Sequence, residues 1–334
     1  KTGLRPNPYF SAPKMMWFKQ EDPATYAAAA KLLGVQDYVI YLLTGHFVTD
    51  WTQAARTMLM DINTFTWDPE LLEASGIDVD KLPDLVPPGT SVEGGLRRSI
   101  AKSVNLPEGL PVIIGGGDQQ CAALALNVLS AGQAEANTGT GSFAIAHADQ
   151  PAHHPEARVL CSASAIPGKW ITEAGIFNSG AILRWFRELL GGERATNYPE
   201  MDAAATTSPV GANGVVMLPH FEGSAAPNWN SLAKGVFFNL SIGTTRGDMV
   251  RAIMEGVSLE LTENLRLMES MIGRIESLSV AGGMARSDTF NQIQADCLDR
   301  PVVRHENAEA SSLGAVMSAM VTLGHVGSYE EAFQ

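Results

Sequence analysis

Residues 110–148 read LPVIIGGGDQQCAALALNVLSAGQAEANTGTGSFAIAHA, and this stretch carries most of the fold information in the sequence. The apolar run at 110–114, followed by three glycines, predicts a buried strand that ends in a tight turn. The Ala- and Leu-rich residues 121–129 predict a helix behind that turn. Residues 134–148 predict a β-hairpin, because a Gly/Thr turn separates two strand-like segments.

The length of the chain indicates the number of domains, and its net charge limits the kinds of partner. The chain has 334 residues, enough for two domains of about 150 residues each. We place these domains at residues 1–131 and 132–334. The 23 basic and 36 acidic side chains give a net charge of −13, a field that repels nucleic-acid phosphates and anionic lipid. We therefore expect neither a nucleic-acid partner nor a membrane partner.

The spacing of the cysteines and the hydropathy of the sequence indicate the cellular compartment of the protein. The three cysteines, Cys121, Cys161 and Cys297, are widely spaced and form no CxxC pair of the kind that marks zinc or redox sites. No stretch approaches the ~18 consecutive apolar residues of a membrane helix. The sequence therefore predicts a cytoplasmic location.

The remaining patterns favour an α/β fold. The first part predicts one helix over 23–43, a second helix capped by Asp50 and running to Met60, and an exposed connection over 77–95. The second part has helical patterns, one of them preceded by a strand and a glycine pair, at 180–191, 249–273, 278–298 and 311–324. Strands that alternate with helices in this way indicate an α/β domain.

Three Gly-rich turns follow apolar segments, at 115–120, 138–142 and 281–283. Glycine lets a backbone approach a ligand closely, and successive N–H groups of a turn form a nest suited to phosphate. One such turn is common in an ordinary α/β fold, but three in this order are better evidence for a ligand. None of them has the P-loop pattern or the dinucleotide pattern.

Asp118 directly follows the three glycines of the first turn. A carboxylate at the end of a strand can project into a cleft and accept a proton. Asp is also a good N-cap residue for the helix predicted at 121–129. Position alone leaves both interpretations open.

Six segments together resemble the FGGY carbohydrate kinases. They are PYFSAPKMMW with HFVTDWTQAARTMLMD in the first part, GGGDQQ, NTGTGSF, LPHFEGSAAPNWNSLAKGVFFNL, and AGGMARSDTFNQIQADCLDRPV. Their order and spacing make the resemblance specific, and it covers nearly the whole chain. It implies a two-domain α/β fold of the actin and hexokinase type, related to ribonuclease H, with a cleft between the domains and ATP on the second one.

The resemblance also implies roles for individual residues. Asp118 falls on the catalytic base, which takes the proton from the substrate hydroxyl as it attacks the γ-phosphate. The turn formed by Gly139, Thr140 and Gly141 falls on the hairpin that holds the nucleotide phosphates. Gly180 falls on a helix start that faces those phosphates, and helix N-termini suit anions.

The same resemblance places an adenosine-binding turn and a substrate pocket. The adenosine turn falls on Gly282, Gly283 and Ser287, where glycine lets a flat base lie on the backbone; close packing of strand and helix is the alternative reason for glycine there. Gln119 can hydrogen-bond a substrate hydroxyl in two ways. Tyr9 and Phe143 match aromatics that line the polyol pocket, although each is equally compatible with the core.

The sequence departs from the family at its start. The family opens with a DxGT/S turn that binds phosphates and Mg²⁺, and that string is absent here. Either the protein is longer, with the first domain incomplete here, or this is an inactive fragment. We expect ATP and Mg²⁺ as cofactors, a ketose or polyol as substrate (xylulokinase-like first, glycerol-kinase-like second), and a possible homodimer. A sugar- or nucleotide-binding protein without catalytic activity is the alternative of another class.

Overall fold

The computed structural model of the protein describes residues 1–191, 197–305 and 309–334. In the first part of the chain, short helices surround two small two-stranded sheets. The helices are α1 Ser11–Glu21, α2 Pro23–Ala28, α3 Val35–Thr44, α4 Trp51–Ala55, α5 Pro69–Ser75, α6 Arg98–Val104 and α7 Asp118–Ala125. The strands are β1 Val48–Asp50, β2 Met60–Asp61, β3 Thr66–Trp67 and β4 Asp84–Val86.

The single helix predicted over 23–43 is wrong. The chain leaves the helix at Ala29, whose φ and ψ of −64° and 124° are extended, and becomes helical again only in α3. A lysine from outside the segment stabilises this break: Lys81 Nζ donates to the Ala29 carbonyl at 2.6 Å, and the Leu32 N–H donates to the Lys81 carbonyl at 2.7 Å. A long-range contact therefore overrides the local helical pattern.

The helix that begins after Asp50 is shorter than predicted. The Asp50 side chain caps it as expected, accepting from the Thr52 N–H at 2.8 Å. The helix ends at Ala55, however, because the chain turns through Met58, where φ is 68°. Met60, predicted as its last residue, lies in β2.

Residues 110–114, predicted as a buried strand, are irregular apart from one isolated bridge at Ile113. Their backbone bonds instead to the loop before them: Val92 N–H donates to Val112 O at 2.8 Å, and Ile114 N–H donates to Thr90 O at 3.0 Å. The connection over 77–95 is correspondingly more ordered than predicted. It contains β4, which pairs in parallel with β1.

The second part of the chain is built on a six-stranded mixed sheet. Its strands are β5 Gln133–Thr138, β6 Ser142–Ala148, β7 Leu160–Ala163, β8 Trp170–Ile176, β11 Ser277–Ala281 and β12 Val302–Arg304, in the spatial order β12-β11-β5-β6-β8-β7. A separate antiparallel pair consists of β9 Val216–Leu218 and β10 Val236–Phe238. The helices are α8 Gly180–Gly191, α9 Tyr198–Thr207, α10 Arg246–Ile272, α11 Asp288–Leu298, α12 Ala310–Thr322 and α13 Tyr329–Phe333. The predicted hairpin and the four predicted helices of this part are confirmed.

The two faces of the six-stranded sheet pack against different helices. One face presents small side chains such as Ala136 and Ala144, and α10 covers it with Leu261 and Leu265. On the other face, Ile145 packs against Ala123 of α7. The helix that begins at Asp118 is therefore anchored to the sheet that carries the β5–β6 hairpin.

An ion pair and two backbone contacts also join the first part of the chain to this sheet. Arg56 donates to both carboxylate oxygens of Glu173, at 3.1 and 3.2 Å. The Trp170 indole donates to Ile62 O at 2.7 Å, and Cys161 N–H donates to Gly3 O at 2.8 Å. Burial and the neighbouring Glu173 carboxylate raise the pKa of the buried Glu135 to about 8. The boundary near residue 131 stays a prediction.

No helix in the described residues is long and apolar enough to cross a membrane.

Candidate active site

A cavity of about 720 Å³ opens between the β5–β6 hairpin and the helices of the second part. The hairpin turn, the start of α8, the turn after β11 and α9 all contribute to its lining. Its lining residues include Gly139, Thr140, Gly180, Leu183, Arg184, Tyr198, Asp202, Met254, Gly283, Met284, Arg286 and Ser287. Five of the residues predicted to bind ATP, Gly139, Thr140, Gly180, Gly283 and Ser287, thus lie around one cavity.

The hairpin turn and the start of α8 are tied together by backbone hydrogen bonds. Thr140 O accepts from Ser179 N–H at 2.9 Å and from Ala181 N–H at 3.1 Å, and Gly139 O accepts from Gly180 N–H at 3.0 Å. The first N–H groups of α8 are therefore already bonded to the turn. Among the described residues, the N–H groups of Thr140 and Gly141 have no acceptor, so the nest for an anion lies in the turn itself.

Two glycines make this close approach possible. A Cβ at Gly180 would overlap the carbonyl oxygen of Gly139, and a Cβ at Gly141 would lie 2.6 Å from Ile176 O. In both cases the added Cβ would lie closer to a carbonyl oxygen than real Cβ atoms do. The glycines predicted here by pattern are thus required by backbone packing.

In the turn after β11, Gly282 packs against the backbone and Gly283 lines the cavity. Gly282 has a φ of 89°, and a Cβ there would lie 2.6 Å from Thr138 O, so its glycine serves close packing. Gly283 has open space at its Cβ position and lines the cavity. Ser287 caps α11, since its Oγ accepts from Phe290 N–H at 2.9 Å.

Asp118 is the first residue of α7, and Gly117 takes the N-cap position. The helix thus begins three residues earlier than predicted, and Asp118 does not cap it. Asp118 is exposed, and its Oδ1 accepts the N–H of the next residue, Gln119, at 2.8 Å. Since the carboxylate is accessible and at the start of a packed helix, it is free to act on a ligand.

A buried network fixes the backbone in front of Asp118. Gly117 N–H donates to Thr52 Oγ1 at 2.7 Å, and the Thr52 hydroxyl donates to Asp50. Gln36 donates to the other Asp50 oxygen at 2.6 Å. Burial raises the pKa of Asp50, while its hydrogen bonds to Thr52 and Gln36 oppose that rise. The sequence pattern identified Asp50 as a helix cap only and missed this support of the glycine turn.

The predicted substrate residues lie outside the lining of the cavity, as Asp118 does. Tyr9 is 72% exposed and Phe143 is 47% exposed, so neither belongs to the core. The Phe143 ring lies against Gly175, 3.3 Å from its Cβ position. Gln119 Oε1 is buried and has no hydrogen-bond partner in the described part of the chain, so its capacity to accept a hydrogen bond is unused.

No group of three or more metal-ligating side chains comes together in residues 1–191, 197–305 and 309–334. Mg²⁺ generally keeps several waters and binds through one or two carboxylates and the phosphates of its nucleotide.

Sequence comparisons match the chain to two family models. Residues 1–125 match the N-terminal domain of the FGGY family of carbohydrate kinases, and residues 134–323 match its C-terminal domain. Glycerol kinase of Thermococcus gammatolerans is 34% identical over 337 residues, covering 99% of this chain and 66% of that protein. Gluconokinase of Bacillus licheniformis is 30% identical, with the same coverage. The chain thus spans slightly less than two thirds of the length of these relatives.

Solved structures share the fold. Xylulose kinase from Lactobacillus acidophilus superposes with a TM-score of 0.93 at 26% identity, over 99% of this chain and 67% of that one. Plasmodium falciparum glycerol kinase with ADP superposes with a TM-score of 0.89 at 25% identity, over 99% and 66%. The predicted actin- and hexokinase-type fold is confirmed. Since both family domains match and together cover most of the sequence, the chain belongs to the FGGY family of carbohydrate kinases.

Proposed function

We propose that this protein transfers the γ-phosphate of ATP to a terminal hydroxyl of a small polyhydroxylated substrate. The observation that carries the proposal is the cavity built by the hairpin turn and α8, with the N–H groups of Thr140 and Gly141 available to a phosphate. A solved relative of the same fold contains ADP. Family membership supplies the reaction class.

The relatives suggest a substrate class. Their names specify glycerol, gluconate and xylulose, and these three compounds share a terminal primary alcohol on a short hydroxylated chain. We propose a ketose such as xylulose first and glycerol second. Gln119 would bind a substrate hydroxyl through its buried, unpartnered oxygen, and the exposed rings of Tyr9 and Phe143 would flank the carbon chain.

The proposed chemistry is in-line transfer. Asp118 accepts the proton of the substrate hydroxyl while that oxygen forms a bond to the γ-phosphorus, and the bond from phosphorus to the β,γ-bridging oxygen breaks to release ADP. The turn N–H groups hold the phosphate oxygens and stabilise the developing charge. Mg²⁺, arriving with the nucleotide, neutralises phosphate charge when bound.

The proposal is tested by coupled ADP release with Mg·ATP against D-xylulose, L-xylulose, ribulose, glycerol, gluconate and erythritol. We expect one compound to stimulate release strongly, and no stimulation when Asp118→Asn replaces the wild type. Nucleotide binding without stimulation by any hydroxylated compound would favour the non-catalytic binding protein. Absence of nucleotide binding would contradict the kinase, and absence of both nucleotide and sugar binding would contradict both functions.

The buried network predicts that Thr52 positions Asp118. Thr52→Val removes the acceptor for Gly117 N–H and should lower kcat on the order of 100-fold, because small misplacements of a catalytic group have effects of that size. KM for ATP should change little, since Thr52 does not line the cavity. Thr52→Ser keeps the hydroxyl and should restore most of kcat. Equal kcat values for the Val and Ser variants would contradict this role.

A further inference from the structure

The lining of the cavity contains a carboxylate that the family resemblance did not include. Tyr198 and Asp202 lie four residues apart on α9, so they project from the same face of the helix, and both line the cavity. The guanidinium of Arg187 lies 4.6 Å from the centre of the Tyr198 ring. The aromatic ring and the carboxylate thus form one wall.

The Asp202 carboxylate is oriented by Ser287. The Ser287 hydroxyl donates its proton to Asp202 Oδ1, while its oxygen accepts from Phe290 N–H. The only proton of the serine hydroxyl is therefore used within the protein. Within the described ranges no other donor reaches Asp202, so its second oxygen can accept a hydrogen bond from a ligand.

The place of Asp202 in the cavity indicates which part of a bound nucleotide would lie next to it. The turn that ends at Ser287 begins beside the phosphate end, since Met284 Cγ lies 3.6 Å from the Cβ position of Gly180. Asp202 is bonded to the last residue of this turn and lines the same cavity, so a nucleotide with its phosphates at the hairpin turn would present its nucleoside part to Asp202. Leu183, Met254 and Tyr198 supply apolar and aromatic surface for a base.

The hydrogen-bonding chemistry of the Asp202 carboxylate indicates which chemical group of a nucleotide it would contact. An ionised carboxylate only accepts hydrogen bonds, and it repels phosphate oxygens. A ribose carries two neighbouring hydroxyl donors next to the phosphate chain. We infer that Asp202, oriented by Ser287, binds the ribose hydroxyls of the nucleotide and makes the site selective for ribonucleotides. This inference rests on the proposed nucleotide site.

The test is calorimetric binding of ADP and 2′,3′-dideoxy-ADP to the full chain. In the wild type, dideoxy-ADP should bind at least about 10-fold more weakly than ADP, the loss expected for a hydrogen bond to a charged group. In Asp202→Ala this ratio should fall to within about twofold, because the partner of the hydroxyls is gone. Asp202→Asn keeps an acceptor oxygen for Ser287 and should give an intermediate ratio.

Glu200→Gln is the matched control, since it removes one negative charge from the same helix at an exposed residue outside the cavity. It should keep the wild-type ratio. An unchanged ratio in Asp202→Ala would overturn the inference while leaving the nucleotide site intact. A loss of selectivity for ADP over GDP, with ribose discrimination retained, would also overturn it, by assigning Asp202 to the base. Failure of the folded wild type to bind ADP would instead overturn the proposed function.

Discussion

Asp118→Asn should lower the rate of phosphoryl transfer by roughly 10²–10⁴-fold while leaving the affinity for ADP within about twofold of the wild type. The amide cannot accept the hydroxyl proton, and general-base assistance contributes roughly 10²–10⁴-fold to a rate. Asp118 lies outside the lining of the nucleotide cavity, so nucleotide binding should not depend on its charge. Steady-state turnover and calorimetry on the same preparation measure both effects.

Asp80→Asn is a suitable control, because it removes one negative charge from an exposed position in the same part of the chain. It should keep wild-type turnover. Turnover by Asp118→Asn at the wild-type rate would contradict the assignment of Asp118 as the base. A parallel loss of ADP affinity would mean that the carboxylate supports the fold of the cavity instead.

Gly180→Ala should reduce the affinity for ADP by at least about 10-fold and lower the midpoint of thermal unfolding. Its Cβ would overlap the Gly139 carbonyl oxygen, so the hairpin turn must move away from α8. Overpacking of this kind costs about 1–3 kcal/mol, and 1.4 kcal/mol corresponds to a tenfold change in binding. The movement would also displace the Thr140 and Gly141 N–H groups from the phosphate position.

Calorimetry with ADP and a thermal unfolding curve measure these two effects. Gly243→Ala is the control, since the nearest atom to its Cβ position, Ser241 Oγ, is 3.6 Å away. It should leave both quantities unchanged. Wild-type ADP affinity in Gly180→Ala would show that the contact between the turn and α8 does not shape the binding site.

The parts of the site formed by neighbours in sequence could be predicted. The hairpin around Gly139–Gly141 and the helix start at Gly180 follow from local turn chemistry and helical periodicity, and both are present. The predicted glycine turns at 138–142 and 281–283 follow strands as expected, whereas the glycines at 115–117 follow an irregular segment. Local signals located these two turns because glycine permits backbone conformations that other residues rarely adopt.

The features that escaped prediction depend on distant contacts. Lys81 lies more than fifty residues away in sequence and interrupts the helical pattern at Ala29. The backbone of residues 110–114, predicted as a strand, bonds instead to the loop around Val92. Asp202 is bonded to Ser287 across 85 residues, and an isolated acidic residue on a helix resembles any solvated side chain. Only the fold reveals that it faces a cavity.

The central claim is tested most directly by ³¹P NMR of the reaction of the wild type with Mg·ATP and the substrate that best stimulates ADP release. We expect a new phosphomonoester signal split into a triplet by the two protons of a terminal CH₂O group, and no such signal with Asp118→Asn. Release of inorganic phosphate alone, or a doublet from a secondary alcohol, would contradict transfer to a terminal hydroxyl.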